Sequence, residues 1–137
     1  METEIKLEHG RDNIFDISGA ETWTCQVSGF RDTFSIMWIR AWDRDHKQER
    51  NLVFRLAYFF DGPTQWVGAN FHVAPQDECI ALLETFGWLN NIPKDQLQSY
   101  LEHFYLVVVP SIRYKVRVLT QSAYLAQEIP ADFKVIN

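Results

Sequence analysis

The sequence predicts an α+β fold: an antiparallel β-meander of about five to six strands, two consecutive α-helices packed on one face, and a returning C-terminal strand. Between residues 33 and 73, runs of aromatic and β-branched residues alternate with turn signals, as is typical of paired strands. Between residues 75 and 109 the apolar period becomes helical. Residues 111–119 alternate strictly, which predicts the returning strand. With 137 residues, the chain is predicted to form one domain spanning 1–137.

The first part of the chain predicts short extended segments. Residues 2–9 alternate between charged and apolar side chains and predict an edge strand. Residues 14–17 predict a short extended piece, and residues 21–27 a further strand in which Trp23 and Cys25 point the same way.

The central region predicts three consecutive strands. They cover residues 33–42, 51–60 and 65–73, separated by a polar loop at 43–50 and a turn at 61–64.

The register of the meander follows from its apolar side chains. Pairing Phe60 with Gln65 and placing Trp42 opposite Asn51 collects most apolar residues on one face, which we expect to be the core, because a slip by one residue would expose them all. That predicted face contains Met37, Ile39, Ala41, Leu52, Phe54, Leu56, Tyr58, Val67, Ala69, Phe71 and Val73. Phe54, Leu56, Phe71, Leu83 and Leu101 are predicted to be nearly fully buried.

The remaining elements follow in order. Residues 75–86 predict a helix that Gly87 ends, and residues 93–109 predict a second helix that Pro110 closes. Residues 122–127 predict one helical turn, and 133–136 a last apolar piece.

Composition limits the classes of function. A net charge of −5 disfavours bulk electrostatic attraction to nucleic acid or membrane. The N-terminal residues lack the apolar core of a signal peptide, and no apolar run is long enough to span a membrane. The two cysteines have no C-x-x-C spacing, so we expect reduced thiols and a cytoplasmic protein. The acidic loop 43–49 also holds basic residues, and we expect neither a metal nor a cofactor.

The candidate site is the second face of the meander, where aromatic, cationic and polar groups are predicted to converge. It contains Trp38, Arg40, Trp42, Arg55, Trp66, Asn70 and His72, flanked by Phe34, Ile36 and Phe59. Exposed aromatic patches usually mark contact surfaces. We therefore expect a non-enzymatic module that binds a protein partner, or a second copy of itself, through this face.

Two alternatives stay open. A basic strand bearing Arg113, Lys115 and Arg117 beside the tryptophans would suit single-stranded nucleic acid or a nucleotide. A pocket around Arg55, Asn70 and His72 would suit a small ligand or an enzyme substrate. The sequence contains no recognisable catalytic motif, which favours a protein without enzymatic activity.

Overall fold

The computed structural model describes residues 2–32, 35–110 and 115–133, and it has the predicted α+β architecture. Its strands, numbered in chain order, form two antiparallel sheets. The main sheet has the order β1 (Glu2–Ile5), β10 (Ser122–Ala126), β4 (Glu49–Arg55), β3 (Ile36–Trp42), β2 (Thr24–Arg31) and β6 (Gln65–Val67). The second sheet has the order β5 (Phe59–Asp61), β9 (Val116–Thr120), β8 (Tyr105–Val109) and β7 (His72–Val73). The helices are α1 (Gln76–Thr85) and α2 (Lys94–Leu101).

The second sheet is the middle of three layers. Val107 and Val109 of β8 pack in the core shared with the main sheet, while Leu106 and Val108 pack with residues of the helices. A strand that is buried on both faces carries apolar residues at every position rather than at alternate ones. The predicted burial of Phe54, Phe71, Leu83 and Leu101 is confirmed, since each is at most 6% exposed.

The side chains of the β3–β4 hairpin lie on their predicted faces, but the pairing of the two strands has a different register from the one predicted. Trp42 lies opposite Glu49 rather than opposite Asn51. Because side chains alternate with a period of two, this shift by two residues leaves every side chain on its predicted face. Met37, Ile39 and Phe54 accordingly point into the core.

The predicted third strand of the meander is wrong. Phe60 does not pair with Gln65: β5 pairs with β9, and β6 pairs with β2. The turn at residues 61–64 therefore carries the chain from the second sheet to the main sheet. A short turn is compatible with either connection, so turn chemistry alone could not choose between them.

Leu56 shows where the long predicted strand breaks, and its predicted full burial is wrong. The strand β4 ends at Arg55, and Leu56 has a positive φ of 51° and a partly exposed side chain. Tyr58, which was also assigned to the core face, is 40% exposed. The chain leaves the main sheet at Leu56 and enters the second sheet at Phe59, so the alternation of side chains does not continue across this point.

The second helix is shorter than predicted. It ends at Leu101, and the predicted helical residues 105–109 form β8. The predicted helical turn at 122–127 is likewise strand β10. In both places, burial on two faces removes the period that distinguishes strand from helix.

The remaining predicted segments have mixed outcomes. The N-terminal edge strand is confirmed as β1, whereas residues 14–17 form no strand, although Ile14, Phe15 and Ile17 are buried. The predicted roles of Phe34, Arg113 and residues 134–136 lie outside the described residues.

Candidate functional site

The outer face of the main sheet, turned away from the second sheet, is the part of the predicted site that the structure assembles. Trp38, Arg40 and Trp42 occupy alternate positions of β3, so all three project to this face. Each is partly buried. Asn51 of β4 lies opposite Arg40 on the same face.

A segment of the chain itself covers part of this face. We call residues 127–133, which follow β10, the strap. The ring of Phe133 lies 5.4 Å from that of Trp38, and the guanidinium carbon of Arg31 lies 5.6 Å from the centre of the Phe133 ring. With Trp38, Phe133 packs against a buried apolar cluster of the outer face. The strap therefore covers part of Trp38.

A glycine shapes the place where Phe133 sits. A Cβ atom at Gly29 would lie 2.8 Å from the Phe133 ring and 3.2 Å from the Trp38 ring, closer than carbon atoms pack. Gly29 also adjoins a bulge in β2, where the pairing with β3 shifts. We call this position, bounded by Gly29, Arg31 and Trp38, the aromatic slot.

Asn51 links the strap to the sheet through two hydrogen bonds. Its Nδ2 donates to the backbone oxygen of Glu128 at 2.9 Å, and its Oδ1 accepts from Nε1 of Trp38 at 2.9 Å. Asn51 is 4% exposed. The amide therefore fixes both the indole and the backbone of the strap.

A groove remains open between the strap and the sheet. Its volume is about 470 Å³. It is lined by Trp38, Arg40, Glu49, Asn51, Gln127, Glu128 and Ile129. Ile129, on the strap side, is 53% exposed.

An ion pair lies at the polar end of the groove. Nη2 of Arg40 lies 2.6 Å from Oε1 of Glu49, and Nε2 of His46 lies 3.1 Å from the same oxygen. The hydrogen bond from Arg40 is the main cause that lowers the pKa of Glu49 below its ordinary 4.5, while partial burial opposes it. Because the pKa is lowered by folding, this stabilisation is present above pH 4.5 and is lost as pH falls through the folded-state pKa.

The other predicted site residues lie outside the groove. Arg55 projects from the outer face, where it bonds Glu4 and Glu2 and lies 4.2 Å from the centre of the Tyr124 ring. The predicted place of Trp66 on the second face is wrong. Trp66 is 3% exposed and packs in the core, where its Nε1 donates a hydrogen bond to the Gly68 oxygen. It belongs to β6, whose pairing with β2 reverses its predicted face.

Asn70 and His72 lie in other parts of the fold than Arg55. The Oδ1 of Asn70 is buried and makes no hydrogen bond within the described part of the chain. His72 belongs to the second sheet, 3.8 Å from Asp12, and lines a pocket of about 310 Å³ with Glu78 and Lys115. Of the three residues predicted to enclose a ligand, Arg55 thus lies in the main sheet, Asn70 between β6 and β7, and His72 in the second sheet.

Only part of the predicted basic strand, which bears Arg113, Lys115 and Arg117, lies within the described residues. Arg117 forms an ion pair with Asp61 at 2.8 Å, and Lys115 is exposed. Arg113 falls outside the described ranges.

An aromatic cluster beside the helices is a surface that the sequence analysis missed. Tyr58 and Trp88 are 40% and 37% exposed, and both contact Phe104. The signal available in the sequence was Trp88, an apolar residue immediately after the Gly87 helix stop.

Both cysteines are free and buried. Burial raises the pKa of Cys25 to about 12 and that of Cys79 to about 11. Because the thiolate is the reactive form, we expect an alkylating reagent to modify the native protein far more slowly than the denatured protein at neutral pH. Mass spectrometry over a time course measures both rates. Equal rates in the two states would contradict the burial of at least one thiol.

The described residues contain no group of three or more His, Cys, Asp and Glu side chains arranged to hold a metal ion. In the loop 43–49, Asp43 instead accepts hydrogen bonds from the backbone amides of Lys47 and Gln48.

None of the helices in the described ranges has the length and apolar character needed to cross a membrane. Comparisons of the chain with protein-family models, curated proteins and solved structures found no match.

Proposed function

We propose that this protein is a non-enzymatic interaction module that binds a short segment of a protein partner on the outer face of the main sheet. The observation that carries the proposal is the strap itself. It is a short peptide segment held on this face by one aromatic ring in a fitted slot and one backbone oxygen bound to a buried amide. The same contacts are available to a segment of another chain.

The chemistry of the site specifies what such a segment carries. The slot suits a planar side chain, because Trp38 packs against one side and the Arg31 guanidinium lies over the ring. The Asn51 amide donates a hydrogen bond to a backbone carbonyl that lies a few residues before that side chain. Tryptophan and arginine are the residue types that most often dominate binding energy in protein interfaces.

The strap also sets the affinity that a partner needs. A segment tethered by a short linker competes at an effective concentration of order millimolar. A partner must therefore outbind the strap, or use the groove of about 470 Å³ beside it at the same time. A second copy that supplies its own strap is one such partner, which keeps self-association within the proposal.

A peptide with the sequence of the strap tests this function. We expect the peptide Q-E-I-P-A-D-F to bind full-length Phe133→Ala, in which the slot is vacated, and to bind the wild-type chain at least about tenfold more weakly, because the native strap competes. Fluorescence anisotropy of the labelled peptide measures both affinities. The matched control is the same peptide with alanine as its last residue, which should not bind either chain.

Equal binding of the peptide to the two chains, or no binding to Phe133→Ala, would contradict the proposal. A Gly29→Ala change in the Phe133→Ala chain provides a second readout. Its Cβ would project to within 2.8 Å of the position of the ring, so peptide binding should be lost while the fold is retained. Size-exclusion chromatography of the wild-type chain then distinguishes a second copy from a different partner.

The geometry favours this function over both alternatives. For nucleic acid, Trp66 is buried in the core and is not available to stack on a base, and Arg117 is already paired with Asp61. For a small ligand, Arg55 belongs to the main sheet and is paired with Glu4, whereas His72 belongs to the second sheet.

A further inference from the structure

The aromatic cluster beside the helices is a second surface with a defined geometry. Its exposed part consists of Tyr58 and Trp88, which we call the ledge. Their rings lie edge to face, 6.1 Å apart, and rest on Phe104 at 5.5 and 6.2 Å. Phe86 supports Trp88 from the end of α1, at 5.2 Å.

Both rings of the ledge are held in place. Trp88 follows Gly87, whose positive φ of 75° ends α1, and its backbone amide donates to the Leu83 oxygen at 3.1 Å. Nε2 of Gln121 donates to the hydroxyl of Tyr58 at 2.8 Å. Rings fixed before binding lose little conformational entropy when a partner docks.

Trp88 of the ledge lies in an acidic stretch of the chain. Residues 76–103 contain five carboxylate residues and one lysine, a net charge of −4. Glu84 and Glu102 are exposed, and each lies two residues before a ring that supports the ledge, Phe86 and Phe104 respectively. An exposed apolar surface inside a negative field attracts a cationic partner.

The chain's own cations are placed on other rings. Within the described residues, five arginines lie over aromatic rings: Arg31 over Phe133, Arg40 over Trp42, Arg50 over Trp23, Arg55 over Tyr124 and Arg117 over Phe59. In the same ranges no cation lies over Trp88 or Tyr58. Tryptophan is the side chain that binds cations best through its face.

We propose that the ledge docks a basic segment of a protein partner, with an arginine or lysine placed over Trp88. The acidic surroundings repel the phosphates of nucleic acid, and they also oppose a second copy of this same face. The proposal is independent of the aromatic slot, because the two surfaces share no residue.

Binding of short synthetic peptides tests the ledge. We expect a labelled peptide of alternating arginine and alanine to bind the wild-type chain more tightly than its lysine counterpart, while the matched glutamate peptide does not bind. Trp88→Ala should weaken binding of the arginine peptide about tenfold, the scale of a desolvated cation–π contact. Raising the salt concentration should weaken it further.

Trp88 also packs against Phe86 and Phe104, so its replacement removes packing contacts as well as the binding surface. A second variant tests binding without changing this packing. The double variant Glu84→Gln, Glu102→Gln changes two exposed side chains. It should weaken binding of the arginine peptide and reduce the dependence of that binding on salt concentration, without changing the thermal midpoint of the protein. Val67→Ala, at a 60% exposed position of the main sheet, is the control that should bind normally.

Unchanged binding in both the Trp88 and the glutamate variants would overturn the proposal. Equally tight binding of an uncharged peptide would do the same, since it would make the ledge a purely apolar surface. Phe133→Ala should leave the arginine peptide unaffected, so a failure of the ledge is distinguishable from a failure of the slot.

Discussion

Replacing Phe54 by alanine is expected to lower the free energy of unfolding by about 3–5 kcal/mol. Phe54 is fully buried on β4, and its ring lies 5.7 Å from that of Phe15 and 5.8 Å from that of Phe71. These rings fill the space between the two sheets, where backbone on both sides limits collapse around a cavity. Urea denaturation followed by circular dichroism measures the change.

Val67→Ala is the matched control for Phe54, because it also shortens an apolar side chain on a strand. Its 60% exposure predicts a change within about 0.5 kcal/mol. A loss below about 1 kcal/mol for Phe54→Ala would place this ring outside the core and reverse the faces of the β3–β4 hairpin.

Replacing Asn51 by alanine is expected to lower the free energy of unfolding by about 1–3 kcal/mol. The change removes the two hydrogen bonds that Asn51 makes to the Trp38 indole and to the backbone oxygen of Glu128, and one such bond contributes about 0.5–1.5 kcal/mol net. It should also loosen the strap, which chemical denaturation and limited proteolysis near residues 127–133 measure separately.

A double-mutant cycle isolates the bond between Asn51 and Trp38. Trp38→Phe keeps an aromatic ring at the wall of the slot but removes the indole donor. If the hydrogen bond stabilises the fold, the loss in the double variant falls short of the sum of the two single losses by about 0.5 kcal/mol or more. Additive losses would contradict this role of Asn51. Gln26→Ala, a partly buried amide on the neighbouring β2, is a control expected to change stability by less than about 1 kcal/mol.

The faces of the β3–β4 hairpin and the first helix were predictable because they depend on spacing along one segment. Trp38, Arg40 and Trp42 share a face whatever their partner strands are, since alternate residues of one strand point the same way. Cys79, Leu82 and Leu83 likewise share a face of α1.

Residues on different segments were predicted less well. The predicted hairpin that would place Trp66 and His72 on the Trp38 face does not form. One wrong strand pairing reversed Trp66 into the core and moved His72 to the second sheet. The error is in sheet membership, which turn residues do not encode.

The segment 105–109 shows a different limit. Its Tyr-Leu-Val-Val-Val sequence has neither the period of an amphipathic strand nor that of a helix, because both faces of β8 are buried. Only a position between a sheet and a helical layer explains this composition.

The sequence by itself determined the α+β class, the two helices and which side chains of β3, β4 and α1 point together, because these follow from local spacing and burial. The tertiary structure alone decided that the strands divide between two sheets, that the strap covers Trp38 and that Tyr58 meets Trp88 at the surface. Such contacts join residues far apart in the chain. Their free energy comes from the packing of several segments at once, which no single stretch of sequence contains.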